Sequence, residues 1–299
     1  MKLFITGATG YIGGSVAARL VAQGHSVRGL VRDRTKADLL VACGIEPVIG
    51  SLDDERVLAR EAREADGVVN TANADHLPSL LAMLEALKGS GKPLVHTSGS
   101  SLIGDDARGN RLSEAIFDEE TPFVVEAGKQ ARHALNGTVL AAAAQGVRTV
   151  IICPTLIYGE GRGLNPHSIQ IPFLVEQARS HGVVRVVGQG LNRWSTVHID
   201  DLADLYLLAL EKAPAGSFYF AESGEASFTA IGEEISARLG LGRLESVPAE
   251  EAAKLWGPAR AYYTYGSNSR VRAKRARREL GWTPCHESAL AWIRHEMTL

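Results

Sequence analysis

The chain begins Met1-Lys2-Leu3-Phe4-Ile5-Thr6-Gly7-Ala8-Thr9-Gly10-Tyr11-Ile12-Gly13, and the reading of this stretch governs the fold. Lys2–Thr6 is a short apolar run of the kind that a strand buried on both faces requires. From Tyr11 to Gln23 the period changes, with Ile12, Val16 and Leu20 one helical turn apart. Between the two lies Gly7-Ala8-Thr9-Gly10. Strand, glycine turn and helix in that order make an anion site. Small residues let main-chain N–H groups approach a diphosphate, and the helix N-terminus adds unpaired donors and the positive end of its dipole. Gly13, one turn in, allows close packing of helix on sheet. Gly7, Thr9, Gly10, Tyr11, Ile12 and Gly13 are therefore expected to hold a nicotinamide dinucleotide.

Working outward, short apolar runs alternate with helical patterns. Strands are expected at 26–31, 46–49, 67–70, 93–97 and 147–153. Helices are expected at 35–43, 53–64 and 78–89, with a long one inside 121–145. Such alternation calls for a doubly wound parallel α/β sheet, the Rossmann arrangement. After about residue 158 the pattern loosens. A glycine-rich loop (Gly159, Gly161, Gly163) leads to a helix at 171–180 and a strand at 183–187. Alternation returns with a helix at 200–211 and a strand at 217–220. The expected layout is a dinucleotide domain over 1–158, continued by about 195–220. A smaller substrate lobe is expected from 159–194 and 221–299.

The second strand ends at Val31, where an NAD site usually places an acid for the ribose hydroxyls. Arg32, Asp33 and Arg34 follow, with Lys36 nearby. Arg32 can stack on adenine and pair with a 2′-phosphate. The expected cofactor is NADP(H), although Asp33 lies at a spacing that leaves NAD(H) open.

Bulk properties narrow the partners. Among 299 residues, 45% are hydrophobic and 22% charged, and the formal net charge is −2, so no global field draws nucleic acid or an anionic membrane. Three scattered cysteines argue for reduced thiols and a cytoplasmic setting. No leader or membrane-length apolar run is evident. The basic run from Arg270 to Arg278 lacks interleaved aromatics and reads as a solvated helix face. The nine histidines show no metal-ligand spacing.

Together these motifs resemble the short-chain dehydrogenase/reductase superfamily, in its extended branch of nucleotide-sugar epimerases and dehydratases. The likeness begins at Thr6-Gly7-Ala8-Thr9-Gly10-Tyr11-Ile12-Gly13. It continues through His96–Gly104, the segment Cys153-Pro154-Thr155-Leu156-Ile157-Tyr158-Gly159, Arg193–Ala203 and Leu280-Gly281-Trp282-Thr283-Pro284. The resemblance implies that Pro154 borders the nicotinamide and that a lysine on the long helix, here Lys129, holds the ribose. It also implies a small-molecule substrate and leaves a homodimer open. Two positions depart from pattern. The tyrosine expected four residues before that lysine is Val125, and the partner hydroxyl falls on Gly99, between Ser98 and Ser100.

Proton delivery must then come from elsewhere. Tyr158 is one candidate, or else a packed aromatic. Lys129 is another, as acid, ribose ligand or solvated lysine, and His133 would share its helix face. Ser98 and Ser100 either orient a substrate carbonyl or cap the strand end. His167, Phe173, Trp194 and Tyr262–Tyr265 are candidate pocket walls or core, and Arg193 an anion contact or a structural ion pair. Three functions compete: an NADP(H)-dependent oxidoreductase without the usual tyrosine, a non-catalytic NADP(H) sensor, and a nucleotide-sugar epimerase or dehydratase.

Overall fold

The computed structural model describes residues 1–298. Its strands are β1 (Lys2–Thr6), β2 (Ser26–Val31), β3 (Ile45–Ile49), β4 (Gly67–Asn70), β5 (Pro93–Thr97) and β6 (Arg148–Pro154). They continue as β7 (Leu156–Tyr158), β8 (Val184–Val187), β9 (Arg193–His198), β10 (Ser217–Ala221), β11 (Gly224–Ser227) and β12 (Leu244–Val247). The helices are α1 (Tyr11–Ala22), α2 (Arg34–Ala42), α3 (Glu55–Glu64), α4 (Leu77–Leu87), α5 (Gln130–Ala141) and α6 (Gln170–His181). After them come α7 (Ile199–Lys212), α8 (Phe228–Leu239), α9 (Ala249–Trp256), α10 (Lys274–Leu280) and α11 (Ala289–His295).

Seven strands form one parallel sheet in the order β10-β6-β5-β4-β1-β2-β3. The order reverses between β1 and β4, and in open α/β sheets such a switch point opens a crevice at the carboxyl ends of the strands. Strands such as β4 and β5 are buried along their whole length, which explains their apolar runs Gly67–Val69 and Pro93–Val95. One face of the sheet packs Leu3, Ile5, Val69 and Val95 against Val16 and Leu20 of α1 and Leu202 and Tyr206 of α7. The other packs Phe4, Val68 and Leu94 against Leu58 of α3, Leu80 and Leu84 of α4 and Leu135 of α5. Each such side chain contributes roughly 1.5–3 kcal/mol by leaving water.

A second cluster lies outside this sandwich. Strands β11, β9 and β7 make a three-stranded sheet and β12 and β8 a two-stranded one. Around them Leu174, Trp194, Phe228, Ile231, Trp256 and Tyr265 form a separate core. The expected helix–strand pairs before residue 100 appear within one or two residues of their sequence boundaries. The long helix is the exception. It starts only at Gln130, preceded by a single 3-10 turn over Ala127–Lys129 and by non-helical chain at Val125. Val125, Lys129 and His133 therefore do not share one helix face.

Where β1, β4 and β5 end, a polar relay replaces apolar packing. Thr6 Oγ1 donates to Asn70 Oδ1 (2.6 Å), and Asn70 Nδ2 lies 3.1 Å from His96 Nδ1. His96 is 1% exposed, and its Nε2 has no partner. Burial lowers the His96 imidazole pKa from 6.5 to about 4. Between those two values the unfolded chain binds a proton that the folded chain refuses, so stability falls as pH drops through this window. The melting temperature of His96→Gln should fall less between pH 6.5 and pH 4 than that of the parent chain. Equal losses would place the acid sensitivity elsewhere.

Candidate dinucleotide and substrate cleft

The carboxyl ends of β1, β4, β5 and β6 meet at a cleft of about 410 Å³. Its floor is the turn between β1 and α1. Gly7 has φ +78°, a left-handed conformation that a side chain strains, and a Cβ there would lie 2.8 Å from Ala72 N. A Cβ on Gly13 would collide with Gly7 O and with Thr71 Oγ1. Thr71 Oγ1 is itself committed, donating to Thr6 O (2.7 Å). Gly10 differs. It caps α1 with extended backbone (φ −88°, ψ 174°), and a Cβ there would meet only Gly7 O at 3.2 Å before projecting into open space.

Helix α1 has no side-chain cap at Gly10 and no acidic residue in its first turn. Its leading N–H groups have no partner within the helix. They remain available to an anion in the cleft, together with the dipole's positive end. This cradle fits a dinucleotide diphosphate. Thr9 is partly exposed beside it. Tyr11 contributes main chain only, since its buried hydroxyl donates to Gly159 O (2.9 Å) and burial raises its pKa. At the end of β2, Arg32 is exposed and makes no ion pair or side-chain hydrogen bond among the described residues. Asp33 instead caps α2. Its Oδ1 accepts from Thr35 N (2.8 Å) and Thr35 Oγ1 (2.7 Å), which together lower its pKa.

The opposite wall contains Pro154 and Thr155 after β6 and Ser98-Gly99-Ser100 after β5. Ser98 Oγ accepts from Asn136 Nδ2 (2.9 Å), and Ser100 Oγ lies 2.9 Å from Ser269 Oγ. Asn136 is buried. Cys153 sits behind Ser98, fully buried, and burial pushes its thiol pKa up to about 12. It is no nucleophile. From the second lobe His167 and Trp194 reach the cleft, whereas Phe173 and Tyr265 stack on each other in the smaller core.

Two sequence candidates lie elsewhere. Tyr158 is 1% exposed, donates its hydroxyl to His286 O (3.1 Å) and packs edge-on against His198, so it is not in the cleft wall. A leucine-like position in the outer sheet explains why its chemistry is unavailable: burial raises its pKa as well. Lys129 is also absent from the wall. Its Nζ stands 4.8 Å from the Tyr263 ring centroid, and burial, followed by the Arg132 charge, lowers its pKa. What the fold brings in instead is Arg132. Its Nη1 would lie 3.3 Å from a Cβ on Gly99, and its Nε donates to Asp75 Oδ1 (2.7 Å), with Nη2 paired to Asp75 Oδ2. The signal for it was present in the sequence. Gly99 replaces a side chain, and a glycine at a strand end invites a neighbour into the space.

The remaining charges have structural work. Arg270, Lys274, Arg277 and Arg278 pair with Glu225, Asp118, Glu222 and Glu120, and Arg193 also meets Glu225. The fold brings together His198, Asp200 and His286, which sequence spacing did not disclose. Each is engaged, however. Asp200 pairs with Arg162, His198 Nδ1 accepts from Asp200 N (3.2 Å), and His286 Nδ1 lies 3.1 Å from Asp201 Oδ2. No helix among the described residues is long and apolar enough to cross a membrane.

The model of the NAD dependent epimerase/dehydratase family matches residues 3–219. The chain belongs to that family. It is 35% identical to an oxidase from Acremonium sp over 95% of this chain and 92% of that one. A 4-hydroxy-2-methyl-3-oxo-4-farnesyl-3,4-dihydroquinoline-1-oxide ketoreductase from Stigmatella aurantiaca is 28% identical over 94% and 92%. Among solved structures, a dTDP-glucose 4,6-dehydratase from Bacillus anthracis in complex with NAD superposes with a TM-score of 0.77. It covers 99% of this chain and 97% of its own at 18% identity, a likeness of fold. Membership places the chain in an NAD(P)-dependent family, and the relatives it matches include a ketoreductase and an oxidase.

The two inner glycines separate folding from binding. Gly10→Val should fold with a cost within about 1 kcal/mol, because its Cβ meets little, yet lose dinucleotide binding on calorimetry. Gly13→Val should cost about 1–3 kcal/mol or more, because neither Gly7 nor Thr71 can retreat. Retained binding by Gly10→Val would contradict the cradle.

Proposed function

We propose that this chain is an NADP(H)-dependent oxidoreductase that acts on a carbonyl of a small or medium organic substrate, without a tyrosine acid. The observation that carries the cofactor choice is the division of labour after β2. Asp33, the acid that would serve ribose hydroxyls, is spent on capping α2, while Arg32 stays exposed and unpaired beside Arg34 and Lys36. An exposed guanidinium suits a 2′-phosphate, and an occupied carboxylate does not suit a free 2′-hydroxyl.

Bound in the cleft, NADPH supplies a hydride. The chain's contribution is to place it. Main-chain N–H groups of Tyr11, Ile12 and Gly13 hold the diphosphate, Arg32 the 2′-phosphate, and the Pro154 segment closes the nicotinamide end. Lys129 would have to leave the Tyr263 ring to reach the ribose. Tyr11 is the one tyrosine among the described wall residues, and its hydroxyl is committed to Gly159. Reductase and oxidase names among the relatives agree with redox chemistry, and three unpaired thiols suit a reducing cytoplasm.

Arg32→Ala should raise the Kd for NADPH by about 10- to 100-fold, the worth of a charge-assisted contact, and leave NADH within about threefold. Equal losses would refute the phosphate assignment. A panel of ketones, enones and imines followed at the nicotinamide absorbance tests turnover. Tight NADPH binding without consumption by any class would replace the enzyme with a non-catalytic NADP(H) sensor.

A further inference from the structure

A reductase without a phenol still has to manage the negative charge that grows on the substrate oxygen. Among the described residues that line the cleft, Arg132 is the one arginine, lysine or carboxylate. Its orientation is fixed. The Asp75 carboxylate takes Nε and Nη2 side by side, which turns the third nitrogen, Nη1, toward Gly99. Nη1 carries two N–H bonds, and no partner within the chain accepts from either among the described residues. Arg132 lies early in α5 and is held on the same helix as Asn136, whose Nδ2 reaches Ser98. Helix α5 therefore presents a charged donor and a buried amide to the end of β5, where the bare backbone of Gly99 leaves room for them.

We propose that Arg132 Nη1 is the group that holds the substrate's carbonyl oxygen, in place of the absent hydroxyl and phenol. This rests on the oxidoreductase reading of the same cleft and names its substrate class: ketones whose oxygen can enter beside Gly99, with or without an acidic group elsewhere. When the carbonyl carbon gains a hydride from the bound dihydronicotinamide, the C=O π pair moves onto oxygen, and the nicotinamide is oxidised. Arg132 stabilises that oxyanion through a charge-assisted hydrogen bond, and water entering the open cleft supplies the proton that completes the alcohol. Asp75 acts as a positioning residue, since it touches Arg132 and not the substrate.

Two alternatives make different demands on the same side chain. If Arg132 instead anchors a substrate carboxylate, only acidic substrates depend on it, and the loss appears in KM with kcat intact. If it contacts the cofactor, NADPH binding weakens with it. The test therefore uses Arg132→Ala and Arg132→Lys in the full chain with three readouts. Single-turnover hydride transfer to a neutral ketone should fall about 10²- to 10³-fold in both, the usual loss of one oxyanion donor, and added guanidinium chloride should restore part of it in Arg132→Ala. The Kd for NADPH should stay within about threefold of the parent, which also reports a folded cleft. Calorimetric binding of acetylacetonate, a stable enolate oxyanion, to the NADP⁺-loaded chain should weaken at least about tenfold in Arg132→Ala. Asp75→Asn should lower transfer less than Arg132→Ala does and respond less to added guanidinium.

Unchanged acetylacetonate binding, or transfer lost only with acidic ketones, would overturn the assignment. So would a parallel loss of NADPH affinity. If the parent reduces no carbonyl at all yet binds acetylacetonate through Arg132, the oxyanion site stands and the reductase reading falls.

Discussion

The close approach of α1 to the strand ends is the constraint on which the rest of the cleft depends. Gly13 faces Gly7 O and Thr71 Oγ1 with no room for a methyl group, and Gly7 turns the chain through a left-handed conformation against the backbone of Ala72. These contacts bring the first turn of a helix, uncapped and free of acids, to the carboxyl edge of the sheet. A helix end buried without donors' partners would be costly. Left facing a polar cleft, the same end keeps its N–H groups available to an anion. The arrangement explains why the turn has no room for a side chain at Gly7 or Gly13 and yet leaves Gly10 open outward.

One carboxylate ties the C-terminal segment to the start of α7. Asp201, in the first turn of α7, accepts from the main-chain N–H groups of Cys285 (3.0 Å) and His286 (2.9 Å), and its own carbonyl accepts from Trp282 Nε1 (2.8 Å). Asp201 is 4% exposed and Trp282 1%. The motif around His198-Ile199-Asp200-Asp201 and the segment Leu280-Gly281-Trp282-Thr283-Pro284 are therefore two halves of one clamp. An acid at a helix N-terminus is stabilised by the dipole, and it is most valuable where it also satisfies amides of a loop with no sheet to join. His286 then stacks on His198 at 3.8 Å between centroids, which brings those two histidines together.

How legible all this was in the sequence follows from the range of the interactions. The seven-stranded sheet was readable because each strand is buried on both faces and each connecting helix carries its apolar stripe in a single turn-by-turn period. The glycine turn between β1 and α1 was readable for the same local reason. The short strands β7, β9, β11 and β12 were not. Their pairings, such as Leu156 with Thr196 or Leu244 with Val184, join segments whose own patterns are weak. The helix bearing Lys129 was misjudged for a related cause. Counting back from the lysine presumes helix before it, but Val125 is tucked under its own loop, where its carbonyl accepts from Gln130 Nε2 (2.7 Å), and the chain turns into α5 only afterwards. Tyr158 likewise had the right place in the motif and the wrong direction, because alternation along β7 points it into the smaller core.

The proposed use of a guanidinium in place of a phenol would change what such a cleft can select. A tyrosine acid offers a proton and a neutral donor, so it serves reversible exchange at a hydroxyl. A guanidinium keeps its protons and its charge, so it stabilises an oxyanion without neutralising it and leaves proton transfer to water. Chemistry of the first kind favours shuttling a substrate back and forth, as epimerisation demands. Chemistry of the second kind favours one net reduction, with the alcohol released after solvent protonation. Gly99 and Arg132 belong together in this argument. A side chain on Gly99 would press on the guanidinium at 3.3 Å, so the bare backbone there is the condition that lets the charge approach.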